Sequence, residues 1–229
     1  MIPESIAGFN QRTFRRADVV RDYATWHWVE AGEVSLLDRI AHEIRDGEVL
    51  DIGVGGGRLV PRLRQAGRGY IGMDYSPEMI EVCRNKFPDV VFLCGDARDL
   101  GRFPGNSFRF VVFSFNGLDY MSHQDRLRVL GEVRRVLATD GYLLFSSHNI
   151  ESPMYPRRGA GPDCAFEEYS IIREDLHSFS YLCYYASRRE VWRQLRAVGF
   201  SGEIVCCDRD GKEPRGDLRS GWLHYLVKK

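Results

Sequence analysis

Val49-Leu50-Asp51-Ile52 is a short apolar run that ends in Gly53-Val54-Gly55-Gly56-Gly57-Arg58. A buried strand that gives way to so many glycines must make a tight turn whose backbone another molecule can approach, since no Cβ stands in the way. The segments around it alternate. Val49–Ile52, Gly69–Met73, Val90–Cys94, Phe108–Phe115 and Gly141–His148 are apolar and rich in β-branched or aromatic residues, as strands buried on both faces are. Between them apolar residues recur every three or four positions: Val34, Leu37, Ala41 and Ile44; Met79, Cys83 and Phe87; Leu127, Leu130, Val133 and Leu137. Ser76 before Pro77 marks one helix start, Ser187 with Glu190 another, and Gly199 a helix end. This alternation predicts a doubly wound α/β fold, with a parallel sheet and helices on both faces.

After residue 148 the rhythm changes. Residues 150–176 carry Pro153, Pro156, Gly159, Gly161 and Pro162 and read as an irregular, lid-like insertion; a strand at 177–185, a capped helix and strands near 203–207 and 222–227 follow. The expected organisation is one domain over 1–229: an N-terminal helical cover (1–32), a binding core (33–148), the insertion and a C-terminal part (177–229).

Charge and cysteine usage narrow the function. The 229 residues hold 32 basic and 32 acidic side chains. A neutral total gives no long-range field for a phosphate backbone or an acidic bilayer, so neither nucleic acid nor membrane is expected as a partner. No apolar run reaches the ~18 residues of a membrane span, and the first residues lack the apolar core of a secretory signal, which points to the cytoplasm. The six cysteines (83, 94, 164, 183, 206 and 207) form no CxxC pair and no zinc-type spacing, so no metal is expected.

The glycine turn is selective about its ligand. A dinucleotide fingerprint needs a small residue where Arg58 stands, and a Walker A loop needs a Gly-Lys-Ser/Thr end that is absent. Asp51, two residues before the first glycine, would repel a pyrophosphate and suits a positive amino group. Asp74 ends the second strand, where a carboxylate can accept both hydroxyls of a ribose, and Asp96 follows the third, placed for an adenine amine. Together they describe an adenosine with a cationic, amino-acid-like tail.

Asp51–Gly57, Tyr70–Ser76, Gly95-Asp96-Ala97 and Leu137–Leu143 resemble the motif series of class I S-adenosylmethionine-dependent methyltransferases, over roughly residues 33–148. The resemblance implies a Rossmann-like, mostly parallel seven-stranded sheet. It implies S-adenosylmethionine as cofactor and S-adenosylhomocysteine as product, with Gly53, Gly55 and Gly57 under the methionyl part, Asp74 on the ribose, and Asp96 and Ala97 on the adenine. Tyr75 and Met79 would pack near the adenosine, and Ser114–Tyr120 would face both cofactor and acceptor. Tyr23, on a leading helix with Trp26, His27 and Trp28, is placed either on the methionyl carboxylate or in ordinary helix packing. Arg109 stands where the family has Asp, at a position that is not a usual ligand contact.

For the chemistry, His148 after the fifth strand and His123 after the fourth are the candidate bases, and Asn116 a candidate for orienting the acceptor. Each histidine has an equally ordinary structural role open to it. Aromatic residues at Phe179–Tyr185 suit an organic acceptor, so the expected activity is methyl transfer to N or O of a small metabolite. A non-catalytic S-adenosylmethionine binder and an RNA or protein methyltransferase are the alternatives. A homodimer is one option for the assembly, and 28 Arg against 4 Lys suggests a GC-rich bacterial coding sequence.

Overall fold

A computed structural model describes residues 5–154, 169–175, 179–213 and 220–229. Two helices, α1 (Ile6–Phe14) and α2 (Ala17–Thr25), lead into α3 (Ala31–Ile44), and then strand and helix alternate: β1 (Glu48–Ile52), α4 (Val60–Leu63), β2 (Gly69–Asp74), α5 (Pro77–Lys86), β3 (Val91–Cys94) and β4 (Phe108–Phe113). A single helical turn, Gly117–Asp119, joins β4 to α6 (His123–Val136), which runs straight into β5 (Leu137–Asn149). The chain closes with β6 (Tyr169–Asp175), β7 (Ser180–Ala186), α7 (Arg188–Ala197), β8 (Ile204–Cys207) and β9 (Trp222–Lys228). Ser76, Ser122 and Ser187 cap α5, α6 and α7 by accepting from backbone N–H groups of the first turn.

The parallel part of the sheet has the order β3-β2-β1-β4-β5. Because successive strand residues face opposite ways, each strand feeds two cores. Leu50 and Ile52 pack with Leu130, Val133 and Leu195 of α6 and α7, whereas Val49 packs with Leu36, Ile40 and Ile80 of α3 and α5. Asp51 shares the Val49 side, which puts a carboxyl in an otherwise apolar layer.

The sheet has nine strands, not the expected seven, and three of its pairings are antiparallel. Seven is the number the resemblance implied; of the nine, β6 alone has no counterpart among the strand-like segments of the sequence, and it pairs with β7 as a hairpin. β5 is long enough to outlast its neighbour. Its pairing with β4 stops at Phe113↔Phe145, while β9 holds the other edge up to His148↔Trp222. The pairs His148↔Tyr185 and Asn149↔Ala186 therefore put β7 on the edge that β4 has vacated, and the hairpin stands beyond the C-terminal end of β4. The middle of the expected lid (155–168), with Arg157, Arg158 and Cys164, lies outside the described residues.

The side chain of Asn10 extends this roof. Its amide donates to the Leu182 carbonyl (2.7 Å) and the Tyr120 carbonyl (2.9 Å), and its oxygen accepts from the Leu182 N–H (2.8 Å). Thr13 donates to the Ser180 carbonyl (2.9 Å), so α1 is tied to β7 at two successive turns. Among the described residues no helix is long and apolar enough to cross a membrane.

Candidate functional site

A cleft of about 880 Å³ opens at the C-terminal ends of β1 to β4, roofed by α1, α2 and the turn after β4. A second cleft of about 380 Å³ shares Tyr23, Gly53, Gly55, Ser114 and Phe115 with it, so the two meet across the glycine turn.

The turn is built for close approach. Gly53 and Gly55 have φ of +67° and +53°, and a Cβ on Gly53 would stand 2.8 Å from the Phe113 ring. Gly56 has a different task, because a Cβ there would lie 2.2 Å from the Tyr23 carbonyl oxygen at the end of α2. Lys86 clamps this contact by donating to the carbonyls of Gly56 (2.8 Å) and Ala24. Gly57 lines neither cleft; a Cβ there would meet Phe87 and Cys83, so its lack of a side chain serves packing.

Three carboxylates arrive from three successive strands. Asp74 is 7% exposed and accepts from the backbone N–H groups of Gly55 (3.0 Å) and Ser76 (2.9 Å). Burial nonetheless pushes its carboxyl up to about 6. Asp51 lines the smaller cleft and accepts from the Tyr70 hydroxyl (2.8 Å); burial drives it up to about 7 against that bond and the nearby charge of Arg58. Among the described residues neither carboxyl is in an ion pair. Asp96 differs. Burial works to raise it, but the Arg98 guanidinium forks onto it (2.6–3.1 Å) and holds it below the usual carboxylate range.

Arg58 is committed within the protein. It makes two 2.6 Å bonds to Glu33 of α3 and a 3.2 Å bond to Ser114, whose hydroxyl also donates to Glu33. Burial tends to raise the Glu33 carboxyl, and Arg58 outweighs it and keeps it low. Tyr23, Tyr75, Met79, Ala97 and Ser114 all line the larger cleft, as do Phe14, Phe115, Tyr120 and Met121. The Tyr75 hydroxyl is buried and has no hydrogen-bond partner among the described residues.

The candidate acid–base residues separate. His123 lines neither cleft: its Nδ1 meets the Tyr184 hydroxyl (2.9 Å), its ring stacks on Tyr169, and Glu190 and Gln194 of α7 surround it. His148 and Asn116 come together, with His148 Nε2 3.5 Å from the Asn116 side-chain nitrogen. Asp119 accepts from the His148 backbone N–H (2.6 Å), lies 2.9 Å from His148 Nδ1, and also accepts from Ser147 (2.7 Å) and Arg126. Cys183 Sγ is 3.0 Å from the same Nδ1, and burial keeps the thiol protonated by raising it. Asp119, His148 and Cys183 thus converge in the manner of metal ligands. Asp119 is already paired with Arg126, which supplies a positive charge there.

Phe115 and Asn116 are both left-handed, at φ +53° and +59°. For residues with a Cβ this stores about 1–3 kcal/mol each. The turn is held by the Asn116 N–H donating to Ser146 Oγ (2.8 Å). Of the residues lining the larger cleft, Asn10, Phe14 and Arg98 were not singled out by the motifs; Asn10 and Phe14 reach it through the packing of α1, and Arg98 follows Asp96 by two residues.

With this geometry in view, comparison with known proteins is specific. A methyltransferase domain family matches residues 49–141. The putative methyltransferase YqeM of Bacillus subtilis (strain 168) is 32% identical over 132 residues, 56% of this chain and 49% of that protein. The chain spans half or less of the length of the first curated relatives it matches. Among solved structures, the DhpI-SAM-HEP complex superposes with a TM-score of 0.71 at 17% identity, covering 100% of both chains. The 1,6-didemethyltoxoflavin-N1-methyltransferase of Burkholderia thailandensis, with 1,6-didemethyltoxoflavin and S-adenosylhomocysteine bound, gives a TM-score of 0.60 at 19% identity over 98% of this chain and 86% of that one. At these identities the structural likeness speaks for the fold.

Proposed function

We propose that the chain is a class I S-adenosylmethionine-dependent methyltransferase, a reading supported by the methyltransferase domain match over residues 49–141, and that it methylates an N or O atom of a small, uncharged, planar organic acceptor. The observation that carries the reading is the electrostatic state of the cleft. Asp51 and Asp74 are buried and raised toward neutrality, and among the described residues neither is in an ion pair, which suits a ligand that brings its own positive charge. The Tyr75 hydroxyl, which has no hydrogen-bond partner among the described residues, suits a polar ligand atom.

Asp74 would hold the ribose hydroxyls, Asp51 the ammonium of the methionyl tail and Asp96 the adenine amine. Gly53 and Gly55 would admit the tail against the backbone. When bound, S-adenosylmethionine supplies a sulfonium-activated methyl group and leaves as S-adenosylhomocysteine. The remaining task of the protein is to hold the acceptor in line and keep water out. Phe14, Phe115, Tyr120 and Met121 provide an apolar wall for that; Asn116 and His148 meet each other but line neither cleft. Among the described residues lining the larger cleft, the charged ones are Asp74 and the mutually paired Asp96 and Arg98, so nothing is left to neutralise a charged acceptor.

Calorimetric titration with S-adenosylmethionine and S-adenosylhomocysteine, with NADH as control, tests the reading. Both sulfur ligands should bind and NADH should not. Asp74→Ala should weaken them about 100-fold, two hydrogen bonds to a charged group at roughly 1.5 kcal/mol each. No binding by the folded protein would overturn the proposal. Transfer of labelled methyl to an acceptor panel then identifies N or O as the target.

A further inference from the structure

We infer that the paired side chains of Asp96 and Arg98 read the base of the nucleoside as an acceptor and a donor together, so that the site takes hypoxanthine in place of adenine. The inference rests on the proposed function for the nucleoside, and on the geometry of this pair for the base.

Asp96 and Arg98 both line the larger cleft, in the turn that follows β3. The Asp99 N–H donates to the Asp96 carbonyl (3.0 Å), which tightens the turn and brings the Arg98 side chain back onto the Asp96 carboxylate. The turn is also fixed from outside. Arg128 of α6 donates to the Arg98 carbonyl (2.8 Å), and Asp125, which accepts from the Ser122 hydroxyl (3.0 Å), accepts from a terminal nitrogen of Arg98 (3.4 Å). The guanidinium is thereby held as part of the base end of the cleft.

The hydrogen-bonding capacity of the pair can be counted. An ionised carboxylate has about four acceptor positions. On Asp96 the Arg98 backbone N–H (2.8 Å), its Nε–H (3.0 and 3.1 Å) and one terminal N–H (2.6 Å) take up all but one of them. The other terminal nitrogen of Arg98 serves Asp125, so each terminal nitrogen keeps an N–H with no partner among the described residues. An acceptor and donors stand side by side.

That arrangement has two complements. Adenine offers its amine to Asp96 and the lone pair of its ring nitrogen to a donor. Hypoxanthine offers its ring N–H to Asp96 and its carbonyl oxygen to Arg98. A carboxylate alone has no such choice, because it only accepts and so repels the carbonyl oxygen. Both bases are neutral and leave the ion pair intact. Arg98 is thus the residue that sets the choice of base, and it sets it wide.

Calorimetric titration of the unaltered protein with S-adenosylhomocysteine and with S-inosylhomocysteine, which differ only at that edge of the base, tests the pair. The two dissociation constants should agree within about tenfold, a smaller gap than the loss of one hydrogen bond to a charged group would give. A wider gap in favour of S-adenosylhomocysteine would overturn the inference. In Arg98→Leu, S-inosylhomocysteine should lose at least about tenfold more affinity than S-adenosylhomocysteine, and Arg98→Lys, which keeps a donor, should recover part of that difference. An equal loss for both ligands would make Arg98 a residue of the fold alone and would overturn the inference too. If neither ligand binds the folded parent, the proposed function itself fails and the inference falls with it.

Discussion

Asp74 and Asp119 are both buried carboxylates at the mouth of the same sheet, and they are in opposite states. Asp119 is satisfied from within, by Arg126, Ser147 and the backbone and ring of His148. Asp74 has two backbone N–H donors, and its carboxyl is raised to about 6. Asp119 is electrostatically complete before any ligand arrives; Asp74, on the proposed function, would be completed by the ligand. A site can use carboxylates as framework and as grip, and the protein's own cations tell the two apart.

The largest test of that contrast removes the framework. Asp119→Ala leaves the fully buried Arg126 without its counterion, and urea denaturation should record a loss of about 3–5 kcal/mol, as for other broken buried pairs. Stability close to that of the parent would mean that Asp119 is no framework residue.

The second test uses pH on the grip. Folded Asp51 and Asp74 hold their protons to about pH 7 and 6, whereas an unfolded Asp gives its proton up near 3.8. Between these values the folded state binds more protons, so the stability of the ligand-free protein should fall as pH rises from about 4 to 7. A cationic ligand displaces those protons. Affinity for S-adenosylhomocysteine should therefore rise with pH through the 6–7 window, by about tenfold per unit for each proton displaced. Calorimetry in two buffers of different ionisation enthalpy would count the protons, and a flat profile would place the cation elsewhere.

The smallest effect separates stability from function. Asn116→Gly relaxes a left-handed residue and removes an orphaned buried oxygen, so thermal melting should show an unchanged or slightly more stable protein, by up to about 1 kcal/mol. Methyl transfer should fall in the same variant. A drop in stability would mean that the amide serves the fold.

The same two regions differ in how far they could be read from the chain. The grip is local: a strand, a glycine turn and carboxylates at three successive strand ends sit within residues 49–97, and the structure gathers them at one pair of clefts. Gly57 was misread because a positive φ is needed for packing on Phe87 as readily as for a ligand. The framework is tertiary. His123 and His148 both follow strands, yet α6 turns His123 toward α7 while β5 carries His148 past the end of β4. The left-handed Asn116 and the strand β6, which falls in the last part of the expected lid, have no local signature, since both depend on what β5 does after its neighbour stops.

The overhang of β5 also separates two kinds of change. The hairpin β6–β7 joins the sheet through two residue pairs, and its side chains are tied to α1 through Asn10 and Thr13, to His148 through Cys183, and to α6 and α7 through Tyr184. Strand faces repeat every two residues, so the hairpin can lengthen or shorten in steps of two without turning its inner side chains outward. None of these steps reaches the register of β1 to β4. The preference for one acceptor over another can drift at the roof while the hold on the cofactor stays fixed beneath it.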